Sequence, residues 1–434
     1  MTKQFQIGVD IGGTFTDFVL LETGSGDLRM HKRLTTPADP SQATLEGLET
    51  ILTEASLKLG DVDRIVHGTT LVTNSIIERR GAKTAMLTTK GFRDVLEMGR
   101  EQRYHIYDLF LRFPEPLVPR ELRLEVDERI SRDGDVVKAI ELEPMRATLA
   151  DLIGQGIESL AVCLLHSYRN PDHERQLADL VRREFPNLAL SISSEVVAEL
   201  REYERTSTTV ANAFVQPLID RYLRRLEDAL SQSGFHGQFL LMQSSGGLIS
   251  PETARRFPIR LLESGPAGGA MVGAFFGRHA GLPDLLALDM GGTTAKSCLI
   301  RDGQPELVAD IEAARVHRFM KGSGLPIRVP VLDLIEIGAG GGSIAHRNEL
   351  GLMQVGPNSA GADPGPACYS LGGNRPTVTD ACLLLGYLDP GYFLGGEMTL
   401  DRTLAERALT SIAQELGISV TAAAWGVHAI VCDN

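Results

Sequence analysis

Apolar positions along this chain fall into two rhythms. Short apolar runs read as buried strands: FQIGV (5–9), FVLL (18–21), RIVHGTT (64–70), AKTAMLTT (82–89), SLAVCLLHS (159–167) and LALSIS (188–193). Between them, apolar residues recur at helical spacing. Leu45, Leu48, Leu52, Ala55 and Leu59 make one helix face, and TLVTNSIIERRG predicts a helix ending at Gly81. Val210, Phe214, Leu218, Tyr222, Leu226 and Leu230 make a single buried stripe with Pro217, a candidate kink, inside it. Strands alternating with amphipathic helices predict an α/β protein.

Other stretches read less regularly. Residues 91–119 are rich in aromatic and basic side chains and fit an active-site loop or a structural excursion equally. LRLEVDERISRDGDVV predicts a hairpin closed at Asp133-Gly134. FLLMQSSGGLIS reads as a strand, and LLESGPAGGAMVGAFFG as a turn into a helix of small residues. Gly265, Gly268, Gly269 and Gly273 there allow close approach of a second helix or of a ligand. The strand in DLIEIGAGGGSIAH meets a glycine loop, and residues 355–381 form a long Gly/Pro-rich loop expected to be ordered. AAAWGVHAIVCDN reads as a final helix with Ala424, Val427 and Val431 on one face. An apolar face near Trp425, Val427 and Val431, with no glycine cap before Asn434, is expected to dock elsewhere or to belong to something longer.

One pattern occurs twice. VDIGGTFTDFVLLE starts at Val9, and LDMGGTTAKSCLI starts at Leu288. Each places Asp-x-Gly-Gly-Thr between two apolar runs, which predicts a β-hairpin with a glycine tip. Glycines remove the Cβ atoms that would hold an anion off the backbone, and exposed N–H groups form an anion nest. Gly12, Gly13, Thr14 and Thr16 would cradle one part of a triphosphate, and Gly291, Gly292, Thr293 and Thr294 another. Asp10 and Asp289 would orient Mg²⁺, or another divalent ion, directly or through water. A lone copy is a weak signal; the duplication with matching flanks makes it a strong one. The expected arrangement is two lobes with both hairpins facing one cleft. Residues 1–90 would form the first hairpin lobe, 91–205 an inserted α/β region and 206–434 the second hairpin lobe.

Composition narrows the class. The 434 residues allow two or three domains and an ample core. A formal net charge of −13 argues against nucleic acid as the main partner, though glycine nests still bind anions on an acidic protein. No apolar run is long enough to span a membrane, and the N-terminus passes directly into a strand, so a signal peptide is not expected. The five cysteines are scattered without a CxxC pair, which suggests reduced thiols and a cytoplasmic setting.

The paired hairpins resemble those of the actin-like ATPase and sugar kinase superfamily, a ribonuclease H-like two-lobed fold. Longer blocks are more specific. HGTTLVTNSIIERRGAKTAMLTTKGFRDVLEMGR, LLESGPAGGAMVGA, IGAGGGSIA and SAGADPGPACYSLGGNRPTVTDACLLLGYLDP resemble the hydantoinase/oxoprolinase family, A subunit, from end to end. The resemblance implies ATP-dependent ring opening of a cyclic amide such as a hydantoin, N-methylhydantoin, 5-oxoproline or a lactam. The A-type part would phosphorylate the amide oxygen, and a B-type subunit would complete hydrolysis in a hetero-oligomer. It also admits a beta-type subunit of an acetone or acetophenone carboxylase, or a non-catalytic nucleotide-cleft fragment. Many members carry Asp where this chain has Lys296, which could contact a phosphate or an acidic neighbour. The family also continues into a GGAG segment resembling an adenine-binding turn, so the match is expected to cover roughly the front two-thirds of an A subunit.

Further candidates follow. His67, at a strand's C-terminal end, could polarise the carbonyl or bind substrate, or be a hydrogen-bonded structural residue. Thr69, Thr70 and Asn74 begin the next helix, whose N-terminus favours an anionic substrate oxygen. Asp380 could be a general base or a helix cap. Gly340 and Gly341 could line the cleft or cap the strand before them.

Overall fold

A computed structural model describes residues 5–36, 39–317 and 320–434. The first strand, Phe5–Ile11, alternates buried and partly exposed residues, the period-two pattern of a strand with one face on a core. It turns through the first glycine tip and pairs antiparallel with Phe15–Glu22, which pairs antiparallel with Leu28–Leu34. Its other edge is taken in parallel by Val62–Thr69, and Gln238–Met242 adds in parallel beyond that. The short strand Leu248–Ile249 completes a six-stranded mixed sheet. FLLMQSSGGLIS is therefore two strands and a turn, not one strand.

Between the parallel neighbours Val62–Thr69 and Gln238–Met242 the chain builds a second sheet. Its order is Ala189–Ile192, Ser159–Cys163, Thr84–Thr89 and Arg123–Val126, all parallel. Every residue of Thr84–Thr89 and of Ser159–Cys163 is buried, as expected when helices cover both faces. Strand Thr84–Thr89, placed with the first lobe on sequence grounds, thus hydrogen-bonds in the second sheet. The later strand Gln238–Met242 hydrogen-bonds in the first. The loop after Gly91 carries solvent-exposed Ile106, Tyr107, Leu109 and Phe110.

One helix joins the two cores. Glu202–Gln232 runs 31 residues through Pro217 without interruption. Val210 and Ala213 pack into the second-sheet core, while Phe214, Ile219, Tyr222, Leu223, Leu226 and Leu230 pack into the first. Leu218, expected on the stripe, is only partly buried, and Ile219 with Leu223 takes its place.

A third sheet repeats the opening of the first. Leu285–Met290 pairs antiparallel with Ala295–Arg301, which pairs antiparallel with Leu334–Ile337. Helix Ser264–Ala280 lies against it, with Gly273 and Gly277 at the contact. Three later helices, Val378–Leu384, Arg402–Leu416 and Val420–Asp433, form their own cluster around Ala381, Leu409, Ala424 and Val427. That corrects the expected bare face at the last helix. Val427 is fully buried and Val431 packs against the cluster, while Trp425 is 55% exposed. Among the described residues no single helix is long and apolar enough to cross a membrane.

Candidate functional site

The two glycine tips close in the same way. Gly12 N–H donates to Phe15 O at 2.8 Å, and Gly291 N–H donates to Thr294 O at 3.0 Å. Register aligns Asp10 with Asp17 in the first hairpin and Asp289 with Lys296 in the second. Among the described residues, the N–H groups of Gly13 and Thr14, and of Gly292 and Thr293, donate to no protein carbonyl. The tips also touch. A Cβ added at Gly292 would lie 2.4 Å from Thr14 Oγ1, so the second turn passes directly over the first threonine. Thr14 Oγ1 is buried there without a hydrogen-bond partner. Expectation and structure agree that both turns face one place.

Each tip is held from behind. Thr35 donates its N–H to Thr14 O at 2.9 Å and its hydroxyl to Gly12 O at 3.0 Å. Thr16 meets the same Thr35 hydroxyl at 3.0 Å, so it braces the tip from inside the core. Behind the second tip, Gly341 N–H donates to Gly291 O at 3.0 Å and Gly342 N–H to Gly292 O at 2.6 Å. Thr379 clamps Gly341 O through its N–H and its hydroxyl, both at 2.8 Å. Gly340 donates to Ser343 Oγ and lies so close to the tip that a Cβ on it would meet the Gly292 and Thr293 backbone at 2.6 Å. The amides of Gly340 and Gly341 are therefore occupied. These glycines back the second tip rather than offer N–H groups to a ligand, a correction to their expected role.

Asp10 occupies a slot between two glycines. Cβ atoms at Gly68 and Gly265 would lie 3.0 and 2.5 Å from Asp10 Oδ1. That oxygen is buried without a hydrogen-bond partner. Burial first, then the charges of Asp17 and Asp289, push the Asp10 carboxyl up to about 6. Lys32 and Lys296 pull the other way. Asp17 is tied to Lys32 at 2.6 and 2.8 Å. Lys296 is paired with Glu263, and both side chains are nearly buried. Of the two open roles for Lys296, contact with an acidic neighbour is the one seen. Glu263 stands at φ 60°, just before helix Ser264–Ala280, and its N–H donates to Thr73 Oγ1 at 3.2 Å.

The remaining candidates divide. Thr70 donates its hydroxyl to Ile11 O at 3.2 Å, and Asn74 lies beside Gly13, 3.7 Å from where a Cβ would stand. Both therefore flank the first tip. Thr69 exchanges hydrogen bonds with Ser264, its N–H donating to Ser264 Oγ and its carbonyl accepting from it, and is buried. His67 is not in the cleft. It pairs in register with Val9, and Asp10 with Gly68, so His67 and Asp10 project from opposite faces of the sheet. Its Nε2 is 2.8 Å from the Tyr222 hydroxyl and its ring stacks on Phe239. Burial drives its pKa down to about 4, leaving a neutral core imidazole. Asp380 is also structural. It accepts from the Cys368 and Thr377 N–H groups at 2.8 and 3.0 Å and completes a capping box with Thr377. It is fully buried and faces no open space.

Sequence reading missed Thr35, Gly68, Glu263 and Thr379. Gly68 and Glu263 sat inside HGTT and LLESGPAGG, where the histidine, the threonines and the small residues of the second stretch drew attention. Thr35 and Thr379 carry no local signal, because their work depends on which backbone carbonyl the fold brings near.

Residues 205–434 match the hydantoinase/oxoprolinase family, and residues 6–185 match the hydantoinase/oxoprolinase N-terminal region. The chain belongs to the hydantoinase/oxoprolinase family. Caprolactamase subunit alpha of Pseudomonas jessenii is 37% identical over 99% of this chain, which covers 61% of that subunit. The crystal structure of that ATP-dependent caprolactamase superposes with a TM-score of 0.77. The 5-oxoprolinase of Saccharomyces cerevisiae is 34% identical over 89% of this chain and is matched over 32% of its own length. A nucleotide-free acetone carboxylase structure superposes with a TM-score of 0.84 at 29% identity, over 97% of this chain and 60% of that one. This hydantoinase/oxoprolinase chain thus spans about three-fifths of the length of the caprolactamase and acetone carboxylase chains. Its mixed α/β fold is shared with both.

Proposed function

We propose that the chain is the ATP-binding part of an enzyme that activates a cyclic amide by phosphorylating its carbonyl oxygen. The observation that carries this reading is the contact of the two glycine tips, with free amides on both, with Thr14 Oγ1 unpartnered where they meet and with Asp10 Oδ1 unpartnered in its slot between Gly68 and Gly265. The sheet order, a three-strand meander followed by parallel strands on the leading strand's other edge, is the one expected of an actin-like ATPase lobe. Free N–H groups from both sides would take the phosphate oxygens and hold the transferring group in line.

A divalent ion fits the acidic end of this site. Asp10 has a buried oxygen, Oδ1, without a hydrogen-bond partner, Asp289 carries the second carboxylate, and hard oxygen donors suit Mg²⁺. When bound, the ion would neutralise phosphate charge. Asp10 and Asp289 would hold it, with Lys296 and Glu263 setting the local charge balance. Thr70 and Asn74 flank the first tip, where they would orient the acceptor oxygen.

An amide resists water because its nitrogen lone pair is shared with the carbonyl. Transfer of the γ-phosphoryl to the amide oxygen breaks the bond to ADP and forms an O–P bond. Water then adds to the activated carbon, the ring C–N bond breaks, and phosphate leaves. The relatives named as caprolactamase and 5-oxoprolinase support this substrate class. The acetone carboxylase likeness supports a second reading, in which the acceptor is a ketone oxygen. Calorimetric titration of the 434-residue chain with Mg-ATP tests the binding step. We expect weak affinity, in the high micromolar range or weaker, and turnover only with a partner subunit and a cyclic amide. Bicarbonate-dependent consumption of ketone would favour the second reading. Absence of any nucleotide effect, alone or in the assembled enzyme, would leave a non-catalytic cleft.

A further inference from the structure

We propose that His31, Glu54 and Glu397 form a binding site for one transition-metal ion of the zinc class, separate from the phosphate site. The three residues come from three segments. His31 lies on strand Leu28–Leu34, Glu54 ends helix Pro40–Glu54, and Glu397 sits in the turn closed by Phe393 and Met398. One donor atom from each lies within 4.8 Å of the other two.

Packing brings them together. His31 stands opposite Phe18 in the strand register, and the two rings lie 5.7 Å apart between centroids. Phe18 in turn packs against Gly47 of helix Pro40–Glu54, which brings the last turn of that helix, with Glu54, to His31. On the other side the Met398 N–H donates to Phe393 O at 3.1 Å, and Phe393 packs on Phe15 and Tyr369. His31 is buried, whereas both carboxylates reach solvent. The imidazole is the floor of the site and the carboxylates are its rim, open to an ion arriving from water.

Charge and geometry favour a cation. Among the described residues neither carboxylate pairs with a lysine or an arginine: Glu397 meets only His31, and Arg29 donates to the Glu54 carbonyl instead. The end of a helix adds partial negative charge, and this one has no basic side chain in its last turn. Zn–N and Zn–O bonds of about 2.0–2.2 Å in a tetrahedron set neighbouring donors about 3.3–3.6 Å apart. His31 Nδ1 and Glu397 Oε1 stand 3.2 Å apart, so one edge is near that spacing before any ion enters. Glu54, exposed at the helix end, closes the rest by turning its side chain. An imidazole nitrogen beside two carboxylates suits zinc better than Mg²⁺, which prefers oxygen throughout.

A bound ion would tie the turn at Glu397 to the first sheet. Phe15, on which that turn packs, accepts the hydrogen bond that closes the first glycine tip. The ion would therefore brace the tip from outside the cleft, and its free energy of binding would add to stability. This inference does not depend on nucleotide chemistry.

The test titrates the 434-residue chain with zinc chloride in excess Mg²⁺, by calorimetry and thermal melts. A Cys432→Ser background removes a second donor pair, Cys432 and His428, one helical turn apart. We expect one zinc per chain at micromolar affinity or tighter, a raised melting temperature and slower hydrogen exchange across residues 393–398. Glu54→Gln and Glu397→Gln, both at exposed positions, should each weaken zinc at least tenfold without changing the metal-free melt by more than a few degrees. His31→Gln should abolish binding, and Asp10→Asn should leave it intact. Zinc affinity unchanged in both glutamine variants of the rim would overturn the proposal, as would loss of zinc in Asp10→Asn alone. No zinc binding at all would also overturn it, leaving His31 and Glu397 as an ordinary hydrogen-bonded pair. Displacement of zinc by the excess Mg²⁺ would overturn the assignment of metal class.

Discussion

Gly292 and Thr14 lie 278 positions apart, in different hairpins, and share one space: a Cβ on the glycine would lie 2.4 Å from the threonine hydroxyl. Neither residue can be read correctly alone. The threonine loses its water and gains no partner, and the glycine is required by the other hairpin rather than by its own turn. Gly292→Ala should therefore push the tips apart without unfolding either hairpin. We expect Mg-ATP affinity to fall at least tenfold while the chain's melting temperature moves by only a few degrees, on the order of 1 kcal/mol. Titration calorimetry and thermal melts on the same preparation check it.

Asp10 is a buried carboxylate whose pKa rises to about 6 in the fold, against 3.8 for its ordinary value. The folded chain thus holds this proton more tightly than the unfolded chain does. Ionised Asp10 costs stability in full above pH 6, and the cost disappears as pH falls towards 4, an effect of about 3 kcal/mol at most. Asp10→Asn should raise the melting temperature of the ligand-free chain at pH 8 while abolishing ATP turnover in the assembled enzyme. A variant that lost both stability and activity would point to a packing role instead.

His67 acts in the opposite direction. Its pKa falls to about 4 in the folded core from an ordinary 6.5, so the unfolded chain binds the proton first on acidification. Stability from this residue is present above pH 6.5 and is lost as pH falls towards 4. The two effects overlap and offset each other in the native chain. Difference melts should separate them: Asp10→Asn should become more acid-sensitive than the native chain between pH 6.5 and 4, and His67→Gln less so. His67→Gln should leave Mg-ATP affinity within twofold, because the ring points away from Asp10.

Lys296 and Glu263 form a nearly buried ion pair beside Asp10. Removing one partner strands the other charge, which typically costs about 3–5 kcal/mol. Lys296→Met should destabilise the chain strongly, and the double change Lys296→Met with Glu263→Gln should recover most of that loss. Denaturant melts of the four species give the coupling directly.

What the sequence made legible was what repeats or what is local. The duplicated DxGGT, with apolar runs on both sides, disclosed both hairpins, their shared closure and the equivalence of Asp17 with Lys296. It could not show that Gly340 and Gly341 spend their amides on the second tip, since that depends on a strand end folding back over residues nearly fifty positions earlier. Of the two readings open for His67, the structural one is seen, for a related reason. A histidine at the end of a strand leading into the site is only one residue from the cleft, but one residue along a strand is the other face of the sheet. Asp380 could be read as a general base or as a helix cap, and the cap is what is seen, because its neighbours' amides consume both oxygens. The bare apolar surface was expected at Trp425 and Val427 and lies instead at Leu286, Leu288 and Met290.

The central claim is that the two touching tips form one phosphate site. Hydrogen exchange at the amides of Gly13, Thr14, Gly292 and Thr293, with and without saturating Mg-ATP, tests it most directly. The account predicts slower exchange at both tips together, absent in Asp10→Asn and reproduced in part by inorganic triphosphate with Mg²⁺. Nucleotide binding that protects neither tip, or only one of them, would contradict it.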